Sequence, residues 1–230
     1  MKITEHIEML EIEAGHGKIY PTLIHDENHL VLVDTGFAHT TADFEKAVKL
    51  AGYELSDLTE ILLTHQDLDH IGGANNLKKM APNVKILAPE IDAPFIQGDE
   101  TPTKLAKLEA KKADGTFTAQ DEPLFEFLNG GFSDAFVKVD EILTDGKILD
   151  IAGGIEVIFT PGHTPGHAVY LVKSDNTLIV GDAANVIDGE LTGSNPPMTW
   201  NMEKAEASLQ KIKALNATNV ISYHTGFLKN

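Results

Sequence analysis

Thr64-His65-Gln66-Asp67-Leu68-Asp69-His70-Ile71-Gly72-Gly73 carries four candidate metal ligands within six positions, between a short apolar run and the start of a helical pattern. Successive residues of an extended segment point to opposite sides, so His65, Asp67 and Asp69 can share one direction, and His70 joins them as the helix begins. Gly72-Gly73 follows at once and lets neighbouring backbone approach closely beneath the turn. A solvated acidic turn with incidental histidines would give no reason for that glycine pair.

Working outward, short Val- and Ile-rich runs at 30–33, 61–63, 84–87, 155–159, 169–172, 178–180 and 220–221 read as strands buried on both faces. Helical patterns lie between them at 41–50, 73–80, 103–112 and 202–215, the last behind the N-cap candidate Asn201. This alternation predicts an α/β layered fold. Five runs lead directly into polar residues: Val33 into Asp34-Thr35-Gly36, Leu63-Thr64 into His65, Phe159 through Thr160-Pro161-Gly162 into His163, Val180-Gly181 into Asp182, and Ser222-Tyr223 into His224. An α/β fold places its ligand site at such strand ends, so the five are expected to converge on one edge.

Residues 99–137 break the alternation with helix-like stretches and five phenylalanines, Phe117, Phe125, Phe127, Phe132 and Phe136. They read as an insertion, its phenylalanines either packing its own core or forming a lid over an apolar pocket. Glycines fall at expected turns such as Gly130-Gly131 and Gly153-Gly154, and no linker composition appears, so residues 1–230 are expected to form one domain. The stretch 185–200 follows Asp182 and is expected to be a pocket loop bearing Met198 and Trp200.

The formal charge of −17 opposes attraction to phosphate backbones and anionic lipid, so neither nucleic acid nor a membrane is an expected partner. With no cysteine, disulfides, thiolate nucleophiles and cysteine metal sites are excluded, and a metal must be held by His, Asp and Glu. No basic-then-apolar leader and no run of about 18 apolar residues is present, which makes a soluble, cytoplasmic protein the expectation. The sequence leaves the oligomeric state open.

On these residues the chain resembles the metallo-β-lactamase superfamily, whose members carry His-x-His-x-Asp-His, then a distant His, an Asp and a final His. His65, Asp69 and His70 match the first motif, His163 the distant His, Asp182 the Asp and His224 the last, while Asp34-Thr35-Gly36 matches a supporting turn. The resemblance spans almost the whole chain and implies an αββα sandwich with a dinuclear centre at the sheet edge. Carried over by position, it implies His65, Asp67 and His163 on one ion, Asp69, His70 and His224 on the other, and Asp182 between them. His167 and Asp34 would orient ligands from behind. His6, His16, His25, His29 and His39 are expected on the surface or in loops, with His39 close to the Asp34 turn, and Tyr223 is expected in the core.

The departure is Asp67, which stands where the family has its second His. A carboxylate there hardens the set, so zinc, the family's expectation, has iron and manganese as competitors. Were Asp67 to turn away, a single ion at Asp69, His70, His224 and Asp182 would remain. The resemblance implies hydrolysis of a small ester, lactone or thioester through a hydroxide bridging the two ions, with Asp69 orienting it and taking its proton. Alternatives are a di-iron redox or oxygen-handling protein, since flavodiiron relatives also carry a carboxylate at this position, and a non-catalytic metal-binding scaffold. Among hydrolytic branches, Asn185 replaces the Tyr typical of acyl-homoserine lactonases, and no basic extension of the hydroxyacylglutathione hydrolase kind follows His224.

Overall fold

The computed structural model describes residues 1–15 and 17–230. Its first half runs β1 (Ile7–Met9), a small hairpin β2 (Ile12–Glu13) and β3 (Lys18–Ile19), β4 (Thr22–His25), β5 (Leu30–Val33), α1 (Thr41–Leu50), β6 (Glu60–Leu62), α2 (Leu68–Ile71), α3 (Ala74–Met80), β7 (Lys85–Pro89), α4 (Ala93–Gln97), α5 (Thr103–Asp114), α6 (Glu122–Ala135) and β8 (Glu141–Leu143). The second half runs β9 (Ile148–Leu149), β10 (Ile155–Phe159), β11 (Ala168–Val172), β12 (Thr177–Ile179), β13 (Ala184–Ile187), β14 (Glu190–Gly193), α7 (Met202–Ala214), β15 (Asn219–Ser222) and β16 (Gly226–Lys229).

Two six-stranded sheets, ordered β1-β4-β5-β6-β7-β8 and β16-β15-β12-β11-β10-β9, pack face to face. Strand alternation explains the layering. Val31, Val33, Leu62 and Leu87 point between the sheets, where they meet Val157, Tyr170, Val172, Ile179 and Ile221 of the other half. Their neighbours Leu30, Leu32, Ile61, Ile86 and Ala88 face the opposite way, onto a layer that includes Phe44 and Val48 of α1, Leu77 of α3 and Leu105 and Leu108 of α5. On the far side, Ile158, Val169, Leu178 and Val220 pack against Leu209 and Ile212 of α7. The architecture is therefore helix, sheet, sheet, helix, the expected αββα sandwich. Both faces of each central strand are buried, which is why these strands read as continuous apolar runs, and truncating a residue such as Leu62 to Ala would cost about 2–5 kcal/mol.

β5 to β8 are mutually parallel, and β12 is parallel to β15, so β5, β6, β12 and β15 deliver their carboxyl ends to one edge of the sandwich. Asn201 caps α7 as expected, its side-chain oxygen accepting from the Lys204 amide at 2.9 Å.

Two local expectations are corrected. Gly130-Gly131 is not a turn but lies within α6. A methyl group on Gly131 would fall 2.2 Å from Leu68 Cδ2, so the glycine lets α6 press onto the turn that carries Asp67 and Asp69. The 185–200 stretch is not simply a loop: β13 and β14 form a hairpin through Asp188-Gly189, at φ 52° and 77°, before the short helical turn Pro196–Met198. An Asp-Gly pair with both φ values positive is a favoured two-residue hairpin turn.

The phenylalanines of the insertion follow the core-packing expectation. Phe132 is buried, and Phe117, Phe125 and Phe136 lean on the same cluster, whereas Phe127 is 49% exposed.

Candidate metal centre

The ligand turn is held from behind by Asp34, which leaves β5 in the left-handed region at φ 62°. Its Oδ1 accepts from the Thr64 amide and its Oδ2 from the Thr64 hydroxyl, both at 2.8 Å, while Oδ2 lies 2.8 Å from His70 Nδ1. That contact makes Nδ1 the protonated ring nitrogen and leaves His70 Nε2 facing the site. Beneath the turn, a methyl group on Gly73 would sit 2.2 Å from the Thr35 carbonyl oxygen, the close approach the glycine pair implied.

Two groups of side chains converge at the sheet edge. His65, Asp67, His163 and Asp182 form the first and Asp69, His70 and His224 the second, with the donor atoms of each group within 4.8 Å of one another. In the first, Asp67 Oδ2 lies 3.2 Å from His65 Nε2 and 2.8 Å from His163 Nε2. In the second, Asp69 Oδ2 lies 3.2 Å from His224 Nε2 and 3.7 Å from His70 Nε2. Asp182 reaches both groups: Oδ2 is 3.4 Å from His163 Nε2, and Oδ1 is 3.3 Å from His70 Nε2 and from His224 Nε2. The seven residues expected to be ligands thus stand together, and Asp67 points inward rather than away.

Buried His65 Nε2, His70 Nε2 and Asp182 Oδ1 have no hydrogen-bond partner. Buried polar atoms are normally satisfied, and several orphaned donor atoms aimed at one centre are what a site for cations requires. Imidazole and carboxylate together suit zinc, manganese or iron. The electrostatics agree. Burial opposes charge on His224, yet Asp182 and Asp69 outweigh it and push that imidazole up to about 10. His65 goes the other way, lowered to about 4 by burial and the neighbouring His70.

Further residues hold this arrangement. His167 Nε2 accepts from the Asp182 amide at 3.1 Å, and its Nδ1 lies 3.0 Å from the Thr160 hydroxyl. Tyr223 is buried as expected, and its hydroxyl donates to the Asp69 carbonyl at 2.8 Å while accepting from the Gly36 amide at 3.1 Å.

Sequence reading missed two residues. Asp92, fully buried just after β7, accepts from the amide and side chain of Gln66 at 3.1 Å each, from the Thr164 hydroxyl at 2.7 Å and from the Gly166 amide at 2.7 Å. It thereby ties the turn between His65 and Asp67 to the turn after His163. Burial raises its carboxyl to about 6 against the pull of those four donors. A polar residue after a strand end was the available signal. The other is Lys104 in the first turn of α5, whose ammonium contacts Asp67 Oδ2 and lies 3.3 Å from His163 Nε2. Burial works against that charge, but attraction to Asp67 prevails and the Lys104 pKa lies above its ordinary value.

The other histidines stand elsewhere: His29 pairs with Asp26 at 3.0 Å, His6 and His25 neighbour each other, and His39 stacks on Phe37. His16 lies outside the described residues. The centre opens into a cavity of about 300 Å³ bordered by Asn185, Asn195 and Met198. Beyond Lys104 lies a larger groove of about 860 Å³ between α5, Leu124 and the Met198 to Trp200 segment. Among the described residues no helix is long and apolar enough to cross a membrane.

A model of the metallo-beta-lactamase superfamily matches residues 14–224, and the chain belongs to that family. Among individual relatives, the uncharacterized protein YobT of Bacillus subtilis is 30% identical over all of this chain and 94% of its own length. The probable metallo-hydrolase YybB of the same organism is 27% identical, covering 79% of this chain and 70% of that protein. A hydroxyacylglutathione hydrolase of Aeromonas salmonicida is 29% identical over 74% of this chain, which spans only 50% of that enzyme. In fold, the chain is similar to a metallo-beta-lactamase family protein of Thermus thermophilus, with a TM-score of 0.76 at 21% identity, covering 99% of this chain and 76% of that one.

Proposed function

We propose that the chain is a metal-dependent hydrolase of a small ester, lactone or thioester. The observation that carries this reading is the pair of His and carboxylate groups joined by Asp182, each with a buried, unpartnered imidazole nitrogen. Family membership and the printed names of a probable metallo-hydrolase and a hydroxyacylglutathione hydrolase among the relatives support the hydrolytic class.

His65, Asp67 and His163 would hold one divalent ion, Asp69, His70 and His224 the other, with Asp182 shared; zinc is the proposed metal, and manganese or iron the alternative that Asp67 favours. Two such ions supply an activated water at neutral pH and polarise the substrate carbonyl. The protein's part is to orient and to move a proton. Asp69 projects into the cavity beside Asp182 and His224, where its Oδ2 can accept the proton of the attacking water. Burial opposes ionisation of Asp69, but the neighbouring His70 and His224 hold its pKa below the usual carboxylate value, which favours the ionised form. The acyl carbon gains the water oxygen, the bond to the leaving oxygen, or sulfur in a thioester, breaks, and the proton passes to the leaving group. Met198 and Trp200 give the adjoining groove an apolar wall for the substrate body.

The test is turnover of lactone, ester and thioester panels by the zinc-loaded chain and by Asp69→Asn. The proposal expects kcat to fall on the order of a hundredfold or more, far more than metal content falls, in keeping with loss of a general base. Asp67 also favours a second reading, a di-iron redox protein, which a coloured, iron-loaded and hydrolytically silent preparation would support.

A further inference from the structure

Lys104 is the one cationic side chain, other than histidine, in contact with the candidate ligands among the described residues. Asp69 and Asp182 pair with histidines alone, whereas Asp67 takes the Lys104 ammonium as well. The lysine side chain is 19% exposed, against 31–73% for the lysines of the other ion pairs. It also projects from the first turn of a helix, where the macrodipole disfavours a cation. In this acidic chain many carboxylates would pair with a lysine at the surface, so its inward course is specific to the site.

The same atom, Asp67 Oδ2, meets His65 Nε2, His163 Nε2 and Lys104 Nζ. A divalent ion in the first group needs that oxygen and the two imidazole nitrogens, so ion and ammonium cannot both occupy the position. Lys104 has somewhere to go, since it borders both the ligand-lined cavity and the adjoining groove, where Glu100 offers another carboxylate. Its helix is also linked to the ligand turn, the Thr103 amide donating to Gln66 Oε1 at 2.7 Å.

We propose that Lys104 is a tethered competitor of the first ion, holding the His65, Asp67, His163 group at lower affinity than the Asp69, His70, His224 group and linking ion binding there to movement at the start of α5. The inference rests on the reading of both groups as ion sites. It makes the two sites unequal by construction: the second fills first, and the first fills only as the ammonium is displaced. Like charges at such short range repel strongly in a partly desolvated pocket, so an affinity gap of about tenfold or more is expected.

The experiment is zinc titration of the chelator-stripped full chain against a chromophoric competitor, for wild type, Lys104→Met, Lys104→Gln and Lys104→Arg. The proposal expects two classes of site in the wild type. Lys104→Met and Lys104→Gln should tighten the weaker class about tenfold or more and leave the tighter one in place, while Lys104→Arg should keep the gap. Thermal unfolding supplies a readout that needs no turnover: Lys104→Met should melt lower in chelator, where Asp67 has lost its counter-ion, and gain more than the wild type from saturating zinc. Either neutral variant suffices if the other does not fold. Two equal zinc affinities in the wild type, or neutral variants with unaltered affinities, would overturn the role of Lys104 and leave the proposed hydrolase standing. No zinc bound by any of the proteins would overturn both.

Discussion

The two ligand groups are built from similar residues but held differently. The first is closed: Asp92 staples the turns on either side of it, and Lys104 reaches in from the inserted helix pair. The second is backed by strand-end residues, Asp34 behind His70 and Tyr223 behind Asp69, and is open in front, with the His224 side chain 37% exposed. One fold edge thus carries a group whose carboxylate meets a lysine ammonium as well as imidazoles and another whose carboxylates meet imidazoles alone. Asp182 is the hinge between the two.

The largest expected effect removes that hinge. Asp182→Ala takes a carboxylate from both groups, and zinc-dependent turnover should fall on the order of a thousandfold, corresponding to about 4 kcal/mol of barrier. Metal content should fall in both groups together; loss from one alone would contradict a shared carboxylate.

The next change targets the turn that bears Asp69 and His70. Gly73→Ala drives a methyl group to 2.2 Å from the Thr35 carbonyl, a backbone atom that cannot rotate aside. It should cost about 3 kcal/mol of stability, measured by denaturant unfolding, the upper end expected for overpacking.

Asp92→Asn strikes the other side. An amide in place of the carboxylate turns donors toward two of the four groups that Asp92 accepts from, which should cost about 2 kcal/mol. It should weaken zinc binding in the first group more than in the second. Equal weakening would mean that Asp92 supports the edge as a whole.

The smallest effect lies outside both groups. Burial opposes ionisation of Asp26, but the Ala152 and Asn28 amides and His29 outweigh it and hold its carboxyl at about 2. A depressed carboxyl stabilises the fold above its unfolded pKa and loses that contribution as the pH falls from about 4 toward 2. After solvent screening the amount should be about 1 kcal/mol. In Asp26→Asn the acid-side loss of stability should shrink by about this amount, with zinc affinity unchanged in both groups.

The same contrast marks what could be read from sequence. Ligands of both groups, and the Asp34 support, follow strand ends: Asp34 follows Val33, His65 follows Leu63-Thr64, Asp182 follows Val180-Gly181, and His224 follows Ser222-Tyr223. Strands buried on both faces are apolar throughout, so their ends, and the polar residues they deliver, stand out. What closes the first group depends on distant pairings, 37 residues between Asp67 and Lys104 and 74 between Asp92 and Gly166, which no local pattern encodes. Lys104 reads as one more exposed residue of an amphipathic helix. Gly131 reads as a turn because its reason for being glycine, the Leu68 side chain, lies on another element. The Asp188-Gly189 hairpin is different: its signal is local and complete, but the stretch also reads as a pocket loop because it follows Asp182.

The most direct test is a crystal structure of the zinc-loaded chain with anomalous scattering recorded at the zinc edge. Two peaks are expected, one on each side of Asp182, between His65 and His163 and between His70 and His224, the first weaker at limiting zinc. Peaks elsewhere, or none with zinc in excess, would contradict the dinuclear centre.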